Sequence, residues 1–87
     1  MKFYYPKISV IITSYNSQIY LKHSIQSVLN QSFKDFEIIL IDDGSKDKSC
    51  SIIKKFAKRE KKIKFYFFKN NSGTASIPRN KGAELAK

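Results

Sequence analysis

The chain has 87 residues, 41% of them hydrophobic and 28% charged, and its formal net charge is +10 at pH 7. This composition is typical of one small globular domain with a thin core, and it excludes an intrinsically disordered chain. The positive charge favours nucleic acid, anionic lipid or a phosphorylated small molecule as a partner, without choosing among them.

The single cysteine, Cys50, excludes an internal disulfide, so a reducing compartment is expected. No run of the sequence has the length of a membrane span, and its first residues lack the apolar core of a signal peptide. These features together predict a cytosolic protein.

Hydrophobic periodicity predicts three strands that alternate with three helices. Short apolar runs predict strands at residues 7–13, 36–41 and 63–68. Apolar residues at helical spacing predict helices at residues 19–31 and 49–59, and the opening of a third helix at residues 77–87. Short connections between alternating elements predict an α/β fold with a parallel sheet and right-handed crossovers. Because the helical pattern still runs at residue 87, we expect the chain to be cut short.

Polar turns follow the three predicted strands, at residues 13–16, 42–45 and 70–79. In an open parallel sheet such turns share the edge where ligands bind, and the helix amino termini beside them favour phosphate. Tyr15 can stack on a base, a carboxylate after the second strand can accept hydrogen bonds from a ribose, and Arg79 can neutralise a diphosphate. The sequence has neither G-x-G-x-x-G nor a Walker P-loop, which disfavours a nicotinamide or flavin dinucleotide.

Three motifs in this order carry a family resemblance. They read PKISVIITSYN, YLKHSIQSVLNQSFKDFEIILIDDGSKDKS and NSGTASIPRNKG. Together they resemble the amino-terminal nucleotide-binding half of the family 2 glycosyltransferases, which have the GT-A fold, and the resemblance covers residues 6–87. It implies that residues 1–87 are a partial GT-A domain, with the first three βα units of a Rossmann-like parallel sheet.

The resemblance also implies roles for individual residues. Thr13 and Tyr15 match the turn that contacts the base of a nucleotide-sugar, most often a UDP-sugar. Asp43 matches the acid that holds the base or the ribose. Arg79 matches the arginine of the R-N-x-G motif, which lies close to the nucleotide, although Pro78 replaces the small residue that usually precedes it. Supporting roles in the turns are expected for Ser14, Asn16 and Asp42.

Two further parts of the family's machinery do not occur in this sequence. Family members hold Mg²⁺ or Mn²⁺ through a D-x-D-like motif after a later strand, and inverting members use a still later aspartate as the base. No catalytic residue and no metal ligand is therefore assigned, and we expect the fragment to be inactive alone. The parent enzyme would transfer a sugar to a glycan or lipid-linked acceptor, in the cytosol or peripherally at the inner face of an anionic membrane.

Two other interpretations stay open. The basic run at residues 54–64 would suit a small nucleic-acid-binding α/β module, which predicts RNA binding that weakens steeply with salt. A solvated helix face explains the same run, and such a module has no use for Thr13, Tyr15 and Asp43 as a set, so nucleic acid is the less favoured partner. The other alternative is an inactive truncated remnant, which predicts marginal stability because one sheet edge would be uncovered.

The adjacent acids Asp42 and Asp43 have a plain structural interpretation, a solvated turn in which one acid caps the next helix. The companion turns at Tyr15 and Arg79 favour a nucleotide contact for Asp43. Asp42 is then expected to support the turn.

Overall fold

The computed structural model describes residues 8–32, 35–74 and 76–86. Three strands alternate with three helices in the predicted order: β1 (Ile8–Ser14), α1 (Gln18–Leu29), β2 (Phe36–Asp43), α2 (Ser49–Arg59), β3 (Ile63–Phe68) and α3 (Ser76–Leu85). The outer ends of the first predicted strand and the third predicted helix, Lys7 and Lys87, lie outside the described residues. Within those ranges, none of the helices has the length and apolar character needed to cross a bilayer.

Strand β2 is the centre of one parallel sheet with the order β1, β2, β3. Ile12 of β1 pairs with Leu40 of β2, which in turn pairs with Phe65 of β3. All eight residues of β2 are buried, as expected for a strand covered on both faces, and this explains why its sequence hardly alternates. The predicted parallel α/β fold is confirmed. Because the strands are parallel, their carboxyl ends lie at one edge of the sheet.

The main core lies between the sheet and the helices α1 and α2. Leu21 and Ile25 of α1 are buried four residues apart, and Ile53 and Phe56 of α2 three residues apart, so each pair lies on one side of its helix. They join four buried residues of the sheet: Phe36, Ile38, Leu40 and Ile63. Helices this short are marginal alone in water, so this packing holds them in place.

Helix α3 covers the other face of the sheet, over β1 and β2. It approaches closely, because a Cβ on Gly82 would lie 2.5 Å from Ile11 Cγ2. On the same face Lys64 Nζ forms an ion pair with Glu37 Oε1 at 2.9 Å and donates to the Leu85 carbonyl at 3.4 Å. The buried Glu37 carboxylate is therefore paired, which offsets the cost of taking a charge out of water.

Strand β3 is much less buried than the central strand β2. Phe65 is 42% exposed and Tyr66 39% exposed. The reason is its position: within the described ranges β3 pairs only with β2, and α3 lies over the other two strands. Phe65 stacks on Phe67 with 5.0 Å between ring centroids, whereas Lys81 Nζ lies 4.6 Å from the Tyr66 ring centroid. Consecutive rings thus point to opposite faces of the sheet.

Candidate functional site

An open cleft of about 310 Å³ lies at the edge where the strands end. Its walls are formed by Thr13, Ser14, Tyr15, Asp43, Asn71, Gly73, Thr74 and Pro78. The end of β1, the end of β2 and the loop between β3 and α3 each supply part of the wall, as in the ligand sites of other parallel sheets. Four residues that the sequence singled out therefore lie together: Thr13, Ser14, Tyr15 and Asp43.

The turn after β1 presents Tyr15 to the cleft and to solvent, with 45% of the residue exposed. Asn16, the next residue, has a φ of 47°, a left-handed conformation that asparagine tolerates better than most residues. Its N–H donates to Ser45 Oγ at 2.8 Å, and its Oδ1 accepts from the Lys46 N–H at 2.8 Å. Asn16 thus ties the first turn to the second, which fixes the backbone that carries Tyr15.

Asp42 is fully buried and holds the first two turns together. Its Oδ1 accepts hydrogen bonds from Ser14 Oγ at 2.9 Å and Ser45 Oγ at 2.5 Å. Its Oδ2 accepts from the Ser45 N–H at 2.8 Å and from Cys50 Sγ at 3.3 Å. Because its carboxylate accepts hydrogen bonds from both turns, Asp42 stabilises their conformation.

Asp43 is also buried, but its carboxylate lines the cleft and contacts the loop between β3 and α3. Oδ1 accepts from the Ser72 N–H at 3.0 Å, and Oδ2 accepts from Ser72 Oγ at 2.8 Å and Asn71 Nδ2 at 3.1 Å. Asn71 Nδ2 also donates to the Asp43 carbonyl at 3.1 Å. An ionised carboxylate has about four lone-pair positions, so these three hydrogen bonds leave room for one more donor.

Sequence reasoning did not assign a role to Asn71 or Ser72. The polar stretch around them indicates a loop. A single sequence does not show that this loop contacts Asp43, because Ser72 and Asp43 are 29 residues apart.

Gly44 allows that loop to approach the end of β2. Its φ is +79°, and a Cβ at this position would lie 2.5 Å from both the Asn70 carbonyl carbon and the Asn71 nitrogen. Both neighbours are backbone atoms, which cannot rotate away as a long side chain can. A glycine is therefore required at this position by the backbone conformation and by the space available.

The first N–H groups of α1 and α2 are engaged by side chains. Asp47 Oδ1 accepts from the Ser49 N–H at 2.9 Å, at the start of α2. Its Oδ2 accepts from the Gln18 N–H at 3.1 Å, so Asp47 also contacts the start of α1. Desolvation raises the pKa of Asp47, but hydrogen bonds from Ser49 and Gln18 outweigh it and lower the pKa below its usual value. These helix ends consequently offer a phosphate fewer unpaired donors than the sequence suggested.

Arg79 lies on the exposed surface of α3. The neighbouring Pro78 is buried and forms part of the cleft wall, whereas Arg79 does not line the cleft. A contact between Arg79 and a nucleotide stays a prediction.

The described residues form no metal centre: no three His, Cys, Asp or Glu side chains among them could hold an ion. Asp42 and Asp43 are adjacent, but both accept hydrogen bonds from N–H and O–H donors of the fold. The residues that the structure describes therefore do not fit the divalent cation that the family resemblance implies, and no chemical step through a metal is assigned to them.

Cys50 does not supply a thiolate. Burial, together with the hydrogen bond to Asp42 and its charge, raises the pKa of the Cys50 thiol to about 11. The thiol is therefore protonated at neutral pH, which is typical of a small packing residue and not of a nucleophile.

Comparison with known sequences gives a family match over nearly the whole chain. Residues 9–87 match the profile of the family described as "Glycosyl transferase family 2". An uncharacterized glycosyltransferase of Haemophilus influenzae is 46% identical over 82 residues, which are 94% of this chain and 32% of that protein. A GalNAc(5)-diNAcBac-PP-undecaprenol beta-1,3-glucosyltransferase of Campylobacter jejuni is 37% identical over 81 residues, which are 93% of this chain and 26% of that protein. The chain thus spans a third or less of the length of these relatives.

Solved structures share the fold. The crystal structure of S. aureus TarS 1-349 in complex with UDP superposes with a TM-score of 0.85 at 32% identity, covering 93% of this chain and 24% of that one. The mannosyltransferase PcManGT from Pyrobaculum calidifontis, in complex with GDP-Man and Mn²⁺, superposes with a TM-score of 0.83 at 19% identity, covering 97% and 25%. At that identity the second likeness shows the fold alone. Both neighbours have the GT-A fold, which confirms the predicted fold class.

Proposed function

Because this chain belongs to glycosyl transferase family 2, we propose that its cleft binds the nucleotide of a sugar donor, and that this donor is a UDP-sugar. The observation that carries the proposal is the convergence of Thr13, Tyr15 and Asp43 on one cleft at the carboxyl edge of the sheet. A UDP donor is supported by the TarS structure, which is 32% identical to this chain and contains UDP.

The size of the cleft suits a nucleoside better than a whole nucleotide-sugar. Its volume of about 310 Å³ is near the lower limit of small-molecule sites, about 300 to 1,000 Å³. The base would stack on the exposed ring of Tyr15, a contact that contributes about 1–3 kcal/mol in other proteins. Thr13 would hydrogen-bond the base, and the remaining lone pair of Asp43 would accept a base N–H or a ribose hydroxyl. The diphosphate and the sugar would extend out of the cleft.

Arg79 would meet the diphosphate from the surface of α3, where its guanidinium is open to solvent. Ser14, Asn16 and Asp42 would keep the two turns in place through the hydrogen bonds that join them. In the family, Mg²⁺ or Mn²⁺ stabilises the departing diphosphate as a Lewis acid. Residues 1–87 would be the donor-binding part of a longer GT-A domain and would not catalyse transfer alone, because they hold neither the metal ligands nor the base.

The acceptor of the whole protein would be a glycan or a lipid-linked sugar. The Campylobacter relative, 37% identical, is named for an undecaprenol-linked substrate, which supports a lipid-linked acceptor. A lipid-linked acceptor would bring the protein to the inner face of a membrane from the cytosol.

The aromatic residues of β3 do not favour the alternative of a nucleic-acid-binding module. Such modules present several exposed rings on one face of a sheet. Here the two most exposed rings, Phe65 and Tyr66, follow each other along the strand and point to opposite faces.

Equilibrium binding of UDP to the purified protein tests the proposal. Tyr15→Ala should weaken UDP binding by about 5-fold to 160-fold, the loss expected for one stacked base, and Tyr15→Phe should keep most of the affinity. Tyr20→Ala is the matched control, since Tyr20 is an exposed tyrosine of α1 that does not line the cleft. Equal UDP affinity in all three variants would mean that the base does not stack on Tyr15.

A further inference from the structure

A second and larger concave surface, the α1–α2 groove, lies between the two helices of the main core. Its volume is about 560 Å³, and it is lined by Lys22, Ile52, Lys55, Phe56, Lys58 and Arg59. Four of these residues follow the spacing i, i+3, i+4 and i+7 along α2, which places Ile52, Lys55, Phe56 and Arg59 on one side of that helix. The groove shares no lining residue with the cleft.

The charge of the groove is uncompensated in the described part of the chain. Helix α2 contains four basic residues and no acidic residue: Lys54, Lys55, Lys58 and Arg59. Three pairs of these cations lie three or four residues apart, namely 54/58, 55/58 and 55/59. The ion pairs Lys64–Glu37 and Lys81–Glu84 lie outside the groove. Like charges at this spacing destabilise a helix by about 0.2–0.5 kcal/mol per pair, and a bound anionic surface would relieve that repulsion.

An exposed aliphatic side chain lies near Lys22, the groove's cation on α1. Ile19 is 74% exposed on α1, three residues before Lys22, and this spacing places the two on the same side of the helix. Clustered lysines attract anionic headgroups, and an apolar side chain next to them can enter the boundary between headgroups and acyl chains. The combination of one exposed isoleucine with a basic groove is therefore suited to a lipid surface.

We propose that the face formed by α1 and α2 docks the protein on the surface of an anionic lipid bilayer. In this arrangement Lys22, Lys55 and Lys58 contact lipid phosphates, and Ile19 enters the interface. The inference does not depend on the proposed nucleotide site, because the two surfaces have no residue in common.

The details of the groove favour lipid over nucleic acid. Phe56 is only 4% exposed and its ring is covered by Arg59, whose guanidinium carbon lies 5.0 Å from the ring centroid, so the ring cannot stack on a base. Lysines outnumber arginines in the groove three to one, whereas bidentate contacts to phosphate and guanine use arginine. Ile19 would have no role in binding a phosphodiester backbone.

Sedimentation with lipid vesicles tests the proposal. The purified protein should bind vesicles of phosphatidylcholine mixed with phosphatidylglycerol and not vesicles of phosphatidylcholine alone. The triple variant Lys22→Gln, Lys55→Gln, Lys58→Gln should lose about fivefold in partitioning per lysine, or about 100-fold in all. At a salt concentration that screens the lysines, Ile19→Ser should weaken the vesicle binding that remains.

A second triple variant separates the groove from net charge. Lys46→Gln, Lys48→Gln and Lys69→Gln remove the same number of charges from exposed lysines outside the groove. Binding of this control variant to anionic vesicles should fall less than tenfold. Equal losses in the two triple variants would overturn the proposal, and so would equal binding to neutral vesicles. Tighter binding to a single-stranded RNA oligonucleotide than to vesicles, lost in the groove variant, would also overturn it in favour of nucleic acid.

Discussion

The N–H and the hydroxyl of Ser72 both donate hydrogen bonds to the carboxylate of Asp43, at 3.0 and 2.8 Å. The two residues are 29 positions apart, so this contact joins the end of the central strand to the loop between β3 and α3. Asp43 thus holds one wall of the cleft in place, and in the proposed function the same carboxylate also receives the nucleotide. A variant that disturbs the loop should therefore affect both stability and binding.

Ser72→Ala removes the hydroxyl donor and leaves the backbone N–H in place. Hydrogen bonds to charged groups contribute about 1.5–3 kcal/mol, so we expect the free energy of unfolding to fall by about 1–2 kcal/mol in a urea titration, and UDP to bind more weakly. Ser51→Ala, at an exposed position of α2, is the control and should change stability by less than about 0.5 kcal/mol. Unfolding free energies that match the wild type in both variants would show that the Ser72 hydroxyl does not support Asp43.

Asp42 and Asp43 should differ in which property they control. Asp42→Asn places an NH₂ group among the donors of Ser45 and Cys50 and should lower the free energy of unfolding by about 2–3 kcal/mol. UDP affinity, measured on the fraction that stays folded, should remain within a few-fold of the wild type. Asp43→Asn also places an NH₂ group among donors, those of Asn71 and Ser72, and should lower the free energy of unfolding as well. Unlike Asp42→Asn, it should weaken UDP binding by about tenfold, the loss of one charge-assisted hydrogen bond. The reverse assignment, with UDP binding lost in Asp42→Asn at unchanged stability, would refute the division of roles.

Gly44 and Gly73 form a matched pair, because their φ angles are +79° and +80°. A Cβ on Gly73 would meet no atom within 4 Å, whereas a Cβ on Gly44 would lie 2.5 Å from backbone atoms of Asn70 and Asn71. Gly73→Ala should cost about 1–2 kcal/mol of unfolding free energy for the left-handed conformation alone. Gly44→Ala should cost at least about 2 kcal/mol more, since the loop must also move. Similar losses for the two variants would mean that the loop does not pack against this turn.

Cys50 should react slowly with alkylating reagents at neutral pH. Only the thiolate reacts, and the pKa of the folded protein's thiol is raised to about 11 from the usual 9.0 by burial and by Asp42. The rate of iodoacetamide labelling should therefore rise with a midpoint near pH 11 in the folded chain and near pH 9 in urea. Because the folded state binds this proton more tightly, its contribution to stability is complete below pH 9 and is lost as the pH rises toward 11. A midpoint at or below pH 9 in the folded protein would contradict the buried contact with Asp42.

The sequence was sufficient to predict the elements and the edge of the sheet that carries the cleft. The run FEIILI hardly alternates because β2 is covered on both faces. The polar residues that follow the strands include Thr13, Tyr15 and Asp43, which line the cleft. The run IKFYFF predicted the strand but not its exposure, because a continuous apolar run does not distinguish a central strand from an edge strand.

The contacts between turns were not predictable. The hydrogen bonds from Ser72 to Asp43 and from Asn16 to Ser45 join segments almost 30 residues apart, and they depend on how the helices set the distance between the turns. The D-D-G sequence indicated a turn. It did not show that the loop between β3 and α3 packs against Gly44 and leaves no room for a side chain there, because that contact depends on the tertiary structure.

Chemical-shift mapping with UDP tests most directly whether the cleft is the nucleotide site. The titration of ¹⁵N-labelled protein should extend beyond about 1 mM, because the cleft alone, without ligands for a metal, is expected to contribute only about 4 kcal/mol of binding free energy. We expect saturable shifts of the N–H signals of Thr13, Tyr15 and Gly73, with no change at Lys55 in the α1–α2 groove. Shifts confined to the groove, or no saturable shift at the cleft, would contradict this expectation.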